Sequence, residues 1–314
     1  MAMPARNSAF TPAIGVDLGG SKIEAIVLDE HGATRWRERV ATPAGDYRAT
    51  LAAVAALVVR AEAELGLARC KVGVGTPGSA TDAGLIKNAN STCLNGRPLE
   101  RDLAEALGRP VRIANDANCL ALSEATDGAA AGAALSFAVI LGTGVGAGIV
   151  AHGRLLEGPN GLTGEWGHVP LPWPEPGERD APRCYCGRRG CIETWLSGPA
   201  LARDHAQHGG AALSAQQIGA RAAHGDAACE ASLRRYESRL ARSLALIVNV
   251  LDPQVIVLAG GVSALQRLVD NVPTLWGEFV FSAGLTDPVR TRLLRSRHGD
   301  SSGVRGAAWL WRDR

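Results

Sequence analysis

The patterned part of the chain opens on a short apolar run, Ile14 to Leu18, that ends in Gly19-Gly20. A run of this length against glycines predicts a buried strand. Lys22 to Leu28 alternates, Glu30-His31-Gly32 breaks the pattern, and Ala33 to Val40 returns as a third strand. From Arg48 to Leu65, Leu51, Val54, Leu57 and Val58 recur at helical spacing, and Gly66 stands where a left-handed cap ends a helix. Further strands are predicted at Val72 to Gly75, Val111 to Ala114, Phe137 to Leu141 and Val255 to Leu258. Helices are predicted at 117–131, through Leu233 to Val250, and after Ser301. Strands and helices that alternate over short connections predict an α/β fold with parallel segments. The Pro-, Glu- and Arg-rich stretch from Leu171 to Arg183 has no pattern of its own and is expected to need a nearby metal to hold it.

An internal repeat bears on architecture. Setting Gly19 on Gly142 gives a constant offset of 123 residues. Val16-Asp-Leu-Gly19-Gly20 then lies over Val139-Ile-Leu-Gly142-Thr143, and Ala25-Ile26-Val27 over Gly148-Ile149-Val150. Each copy runs strand, glycine turn, strand, a turn containing His-Gly, and strand. Two similar α/β domains facing each other across a cleft would produce this pattern. Two unrelated glycine-rich hairpins would also produce it, and the repeat alone leaves both open.

Composition narrows the classes. The 314 residues suffice for two domains with a core in each. The net charge is +2 and no Lys/Arg-rich stripe occurs, so electrostatic capture of nucleic acid is unsupported. Residues 1–12 lack the charged-then-apolar layout of a signal peptide, and no apolar run reaches membrane-spanning length. Seven cysteines, three of them clustered at metal spacing, suit a reducing compartment better than a disulfide framework. Cys70, Cys93, Cys119 and Cys229 are isolated and read as small core residues.

The candidate chemistry lies in a few short segments. Glu165-Trp-Gly-His168 and Cys184-Tyr-Cys186-Gly-Arg-Arg-Gly-Cys191-Ile-Glu193 supply one His and three Cys, the donors of a closed tetrahedral zinc site. A metal there would fix Glu165 and Glu193 as a rigid wall for a hydroxyl-rich ligand and leave no open coordination position for catalysis. Buried thiols beside a core histidine would not explain the turn glycines of this segment. Asp17-Leu-Gly19-Gly20-Ser21-Lys22 and Gly142-Thr143-Gly144 expose backbone N–H groups that can cradle phosphate, and Gly260-Gly261 repeats the feature after a third strand. Neither of the first two is a Walker loop or a dinucleotide fingerprint. Asp17, ending a buried strand, is placed to hold a hydrated Mg²⁺. Ala114-Asn115-Asp116-Ala117-Asn118 reads first as a helix N-cap; beside a sugar and a γ-phosphate, Asp116 could also accept the proton of an attacking hydroxyl.

Taken together these segments resemble the ROK family (repressors, open reading frames and sugar kinases), which shares the actin/hexokinase-like ATPase fold. Asp17 to Lys22 resembles the family's first phosphate loop, with Ser21 where Thr is usual. Gly142-Thr-Gly144 resembles the second, and Gly260-Gly261 the adenosine-side turn. Gly164 to His168 and Cys184 to Glu193 match the family signature and zinc motif, and the resemblance runs from Ile14 to Trp311. It implies a two-lobed α/β fold of duplicated ribonuclease-H-like domains with a zinc-bound loop. Residues 1–118 with 299–314 would form the smaller lobe, and 119–298 the larger.

The resemblance also implies the site. ATP with Mg²⁺ would lie on Asp17, Gly19, Gly20, Ser21, Lys22, Gly142, Thr143, Gly144, Gly260 and Gly261. A hexose would be bound by Asn90, Asn115, Asp116, Glu165, His168 and Glu193, with Asp116 as base. Structural zinc would be held by His168, Cys184, Cys186 and Cys191, with the second ring nitrogen of His168 on the sugar. Lys87 to Gly96, Ala114 to Ala121 and His298 to Gly306 look most like bacterial fructokinases of the mannofructokinase type, with Cys93 where Trp is usual. Fructose phosphorylated to fructose 6-phosphate by a cytoplasmic homodimer is therefore the leading expectation. Glucose, mannose and N-acetylhexosamine kinases share the same machinery. A sugar-sensing repressor would need a winged helix-turn-helix before the first strand, where thirteen residues precede Ile14. A zinc-stabilised interaction protein without turnover would not need Asp17 and two glycine loops.

Overall fold

The computed structural model describes residues 12–281 and 287–312, so the reading of residues 1–11 lies outside the described residues. The chain divides into two compact units, with the divisions between Ser123 and Glu124 and between Ser302 and Gly303.

The first unit begins with β1 (Ala13–Leu18), β2 (Lys22–Leu28) and β3 (Thr34–Ala41), an antiparallel meander. Helix α1 (Tyr47–Leu65) follows, capped by the Asp46 side chain on Ala49 N–H and closed by Gly66 at φ 62°. Val54, Leu57 and Val58 bury the face that the periodicity predicts. Next come β4 (Lys71–Thr76), the short pair β5 (Ser79–Ala80) and β6 (Ile86–Lys87), α2 (Leu99–Leu107) and β7 (Val111–Asn115). The sheet order is β3-β2-β1-β4-β7, with β4 parallel to both β1 and β7.

Helix α3 (Asp116–Thr126) carries the chain into the second unit. It stops before the predicted end at 131. The buried Glu124 carboxylate takes the N–H of Ala129 and of Arg297 and the hydroxyls of Ser296 and Ser302, turning the backbone away from helical bonding. There β8 (Leu135–Leu141), β9 (Val145–Ala151) and β10 (Arg154–Leu155) form a second antiparallel meander. Helices α4 (Glu193–Leu196), α5 (Gly198–Gln207), α6 (Ala215–Ala223) and α7 (Ala227–Leu251) follow. They lead to β11 (Val255–Ala259), α8 (Arg267–Leu275) and β12 (Arg292–Arg295). The order β10-β9-β8-β11-β12, with β11 parallel to β8 and β12, repeats that of the first sheet. Matching order and sense in two sheets resolve the repeat in favour of duplicated domains, since unrelated hairpins would not head equivalent sheets.

Helix α9 (Ser302–Trp309) returns to the first unit. A Cβ on Gly15 or Gly73 would collide with the carbonyls of Val304 and Ala307, so only bare backbone lets α9 lie this close to β1 and β4. Among the described residues no helix is long and apolar enough to cross a membrane.

The segment from Leu171 to Arg183 has an anchor that the sequence expectation did not include. A 3₁₀ turn at Pro176–Glu178 is closed by a capping box between Glu175 and Glu178. The Glu178 carboxylate, 6% exposed, takes two bonds from Arg242 (2.7 and 2.9 Å) and one from Arg239 (2.7 Å), both on α7. Arg239 also reaches Asp204 at 2.8 Å, and Arg242 reaches the Trp173 carbonyl at 2.6 Å. Buried ion pairs therefore anchor the middle of this segment. Burial by itself would raise the Glu178 carboxyl, but the two guanidiniums more than offset it and bring it down to about 2 from 4.5. A carboxylate depressed in the folded state contributes stability that is complete above the unfolded value and lost as pH falls through the folded one. The denaturation midpoint should therefore drop between about pH 4.5 and about pH 2, more steeply than in Glu178→Gln. Parallel pH profiles for the two proteins would refute this attribution.

Candidate functional site

In the first unit, β1 delivers Asp17 to the mouth of the Gly19–Ser21 turn. Gly19 N–H closes the turn on the Lys22 carbonyl (3.0 Å), and Thr42 ties it from outside through its hydroxyl on the Gly19 carbonyl (2.8 Å). Gly20, Ser21 and Lys22 are exposed. Burial raises the Asp17 carboxyl to about 6, with the Asp116 and Glu24 charges adding to the shift and Lys22 opposing it. Asp17, from the end of β1, and Asp116, from the start of α3, thus stand close enough to feel each other's charge. Excess negative charge beside a backbone nest is the electrostatic condition a divalent cation relieves, so these residues fit a Mg²⁺-bearing phosphate site.

The Asn115-Asp116 pair does act as a cap. The Ala117 N–H is shared between Asn115 Oδ1 and Asp116 Oδ1, each at 2.8 Å, while Asn115 Nδ2 donates to the Gly78 carbonyl at 2.9 Å. Both ends of the Asn115 amide are thereby engaged in local structure. Asn90 is exposed in the loop after β6, which Asn95 organises by bonding Ala89 N–H and C=O at 2.9 Å each. Asn95 was not singled out by sequence reasoning, since an Asn in a polar loop has no periodic signature. Cys93 is partly buried against the first unit's core, while Cys70, Cys119 and Cys229 are buried as expected.

In the second unit three glycine features converge at the C-terminal ends of β8 and β11. The Gly142–Gly144 turn closes by Gly142 N–H on the Gly144 carbonyl (3.0 Å). Gly198, opening α5, donates to the Gly142 carbonyl at 2.8 Å. Gly260 adopts φ 85° and lies so close to the Leu141 backbone that a Cβ there would not fit. Thr143 is exposed and Gly261 opens a short 3₁₀ turn. Bare backbone at strand ends, beside a helix N-terminus, is suited to nucleotide phosphate and ribose.

The Cys/His segments come together beside this turn. Trp166 is buried, reaches the Ser243 carbonyl with its indole N–H, and packs edge-on against Phe137 with ring centroids 5.8 Å apart. Gly164 and Gly167 lie against the carbonyls of Ala147 and Val145 where no Cβ would fit, so the 3₁₀ turn Glu165–His168 hugs β9. Backbone bridging of Pro170 with Cys191 then brings His168 alongside the cysteine knuckle, whose turns use Gly187 and Gly190 at positive φ. His168 Nδ1 lies 3.5 Å from Cys184 Sγ, Cys186 Sγ lies 3.6 Å from Cys191 Sγ, and all four donor atoms fall within 4.8 Å of one another. Ligands at tetrahedral zinc distances are separated by about 3.5 Å (N to S) and about 3.8 Å (S to S). The donor set and these two separations suit zinc, and Nδ1 is the His168 nitrogen turned to the cysteines.

Glu193 connects the knuckle to the glycine turn. Its Oε2 accepts the Val145 N–H at 3.0 Å and packs on Gly144, while Oε1 takes a long bond from the Cys184 thiol at 3.9 Å. The sequence placed Glu193 beside the cysteines, but its contact with the turn 48 residues earlier is a tertiary fact. Glu165 is exposed on the same 3₁₀ turn as His168. Tyr185, missed entirely, places its hydroxyl 3.0 Å from His168 Nε2.

Known proteins resemble this chain in sequence and in fold along nearly its whole length. The N-acetyl-D-glucosamine kinase of Shigella boydii serotype 4 (strain Sb227) is 40% identical over 306 residues, covering 94% of this chain and 98% of that one. The crystal structure of a ROK hexokinase from Thermus thermophilus superposes with a TM-score of 0.82 at 34% identity, over 95% of this chain and 96% of that one. A ROK glucokinase from Streptomyces griseus, in complex with glucose and AMPPNP, gives a TM-score of 0.77 at 29% identity, covering 96% of this chain and 99% of that one. The mannofructokinase resemblance expected from short segments is not what these relatives carry in their names, so the finer type stays a proposal. A profile of the ROK family matches residues 13–314, and with that coverage the chain belongs to the ROK family, in the family's hexokinase-like α/β fold.

Proposed function

We propose that this protein transfers the γ-phosphoryl group of ATP to a hydroxyl of a hexose, with Asp116 as the base. The observation that carries this reading is a second carboxylate, Asp116, set beside Asp17 and the Gly19–Ser21 phosphate turn at the start of α3. Phosphoryl transfer asks a protein mainly for positioning, charge neutralisation and a proton acceptor. Gly19, Gly20, Ser21 and Lys22, with Gly142, Thr143 and Gly144, supply N–H groups, hydroxyls and one ammonium for phosphate oxygens. Gly260 and Gly261 leave backbone room for the nucleoside. Asn90, Asn115, Glu165, His168 and Glu193 supply hydrogen-bonding groups for sugar hydroxyls. Asp17 would hold Mg²⁺, which when bound neutralises phosphate charge. Zinc on His168, Cys184, Cys186 and Cys191 would be structural. A cytoplasmic homodimer completes the proposal, and light scattering in solution tests the dimer.

For the acceptor, similarity to N-acetylglucosamine kinases favours N-acetylglucosamine. Fructose is the second reading, favoured by the segments Lys87 to Gly96, Ala114 to Ala121 and His298 to Gly306. ADP release with Mg-ATP against N-acetylglucosamine, fructose, mannose and glucose separates them. The sugar with the highest kcat/KM names the acceptor. No release with any of the four sinks the kinase reading.

Metal removal has a definite expected result. Zinc would hold residues 184–191 and His168, whereas Glu178 anchors the segment before them through the arginines of α7. Chelated, metal-analysed protein should lose most sugar turnover along with some thermal stability, and zinc should restore both. Full turnover by metal-free protein would rule out the structural role of the ion.

A further inference from the structure

Tyr185 sits in sequence between two of the zinc-ligand candidates, yet the residue is 76% exposed. Its hydroxyl is 3.0 Å from Nε2 of His168, and the two rings meet edge-on, with centroids 5.1 Å apart and planes at 88°. Nδ1 of the same imidazole faces the Cys184 sulfur at 3.5 Å. An imidazole that directs Nδ1 at a metal keeps its proton on Nε2, so Nε2–H donates and the phenol oxygen accepts. The sugar-binding role of His168 draws on that same N–H. One N–H makes one well-aligned hydrogen bond, so phenol and sugar hydroxyl cannot both hold it.

We propose that Tyr185 is a specificity-determining residue: in the sugar-free protein its hydroxyl occupies the position on His168 Nε2 that an acceptor hydroxyl takes over. This rests on the hexose-kinase reading above. An exposed ring has room to swing aside, and the sugar replaces the one bond that the phenol gives up. A hexose that presents a hydroxyl to Nε2 displaces the phenol; one that does not leaves it in place and meets an occluded histidine. Tyr185 thus sets a threshold that sugars of similar size pass unequally.

The test is Tyr185→Phe in zinc-replete protein, which keeps the ring and deletes only the competing oxygen. Sugar affinity is measured by calorimetry without nucleotide, and KM and kcat with Mg-ATP over the same four sugars. Removing one competing neutral hydrogen bond should tighten binding of the preferred sugar by about two- to ten-fold. KM should fall in proportion, kcat should stay within about two-fold, and the gap to a sugar that presents no hydroxyl to Nε2 should widen. Unchanged affinity overturns the proposal. So does weaker affinity joined to faster zinc loss to a chelator, because that is the result of a phenol that merely steadies the imidazole. Failure of the unsubstituted protein to bind any hexose overturns the hexose reading itself, and the competition proposal with it.

Discussion

Asp116→Asn should lower kcat by about two to four orders of magnitude with little change in stability. The side chain accepts the Ala117 N–H through Oδ1 at 2.8 Å, and an Asn oxygen can accept the same bond. Asn115 shares that N–H at the same distance, so the start of α3 stays capped in the variant. What an amide cannot do is take the proton of an attacking hydroxyl. The substitution also removes one of the charges that raise Asp17, so the Asp17 carboxyl should titrate lower than in the parent. Turnover and thermal midpoint measured together decide the matter. A variant that keeps more than half of the parent kcat would dismiss Asp116 as the base, and a large fall in midpoint would recast it as a structural cap.

The second large effect is on stability. Glu178→Ala should destabilise the second unit by about 3–5 kcal/mol, the cost of stripping one partner from a buried ion pair. Arg242 is 2% exposed and Arg239 6% exposed, so neither guanidinium can reach water without local disruption. Arg239 retains Asp204 and its place over the Trp195 ring, and Arg242 retains the Trp173 carbonyl, which places the cost within the range and not beyond it. At roughly 2–4 °C per kcal/mol for a unit of this size, the thermal midpoint should fall by about 10 °C. Glu178→Gln, which keeps the shape and some hydrogen bonding, should cost less. A midpoint within 2 °C of the parent for Glu178→Ala would show that the segment from Leu171 to Arg183 is held by something else, the metal being the obvious remainder.

The places where sequence reasoning succeeded and failed follow from the range of the forces involved. Helix α1 was legible because its apolar face and its terminal glycine lie within the helix or next to it. The candidate metal donors were legible because a knuckle needs its cysteines and glycines at close spacing, and only His168 comes from outside it. Helix α3 was drawn too long because its end is decided by Glu124, whose partners Ser296, Arg297 and Ser302 arrive from far along the chain. The Glu178 anchor was invisible for the same reason: a Glu in a Pro-rich stretch looks solvated until α7 presents two arginines to it. The short elements β5, β6 and β10 carry too few residues for a period to show.

The sequence by itself determined the glycine turns, the donor set for a metal, the candidate base at the start of α3 and the strand-helix alternation. Each depends on residues that are neighbours or nearly so, where backbone geometry and side-chain chemistry act locally. Only the tertiary structure decided that the repeated hairpins head two sheets of equal order, and that Nδ1 of His168 is the nitrogen turned to the cysteines. It alone joined Glu193 to the Gly142–Gly144 turn and brought the Tyr185 hydroxyl to Nε2 of His168. These are contacts between separate stretches of chain, and their partners are chosen by which surfaces burial brings together.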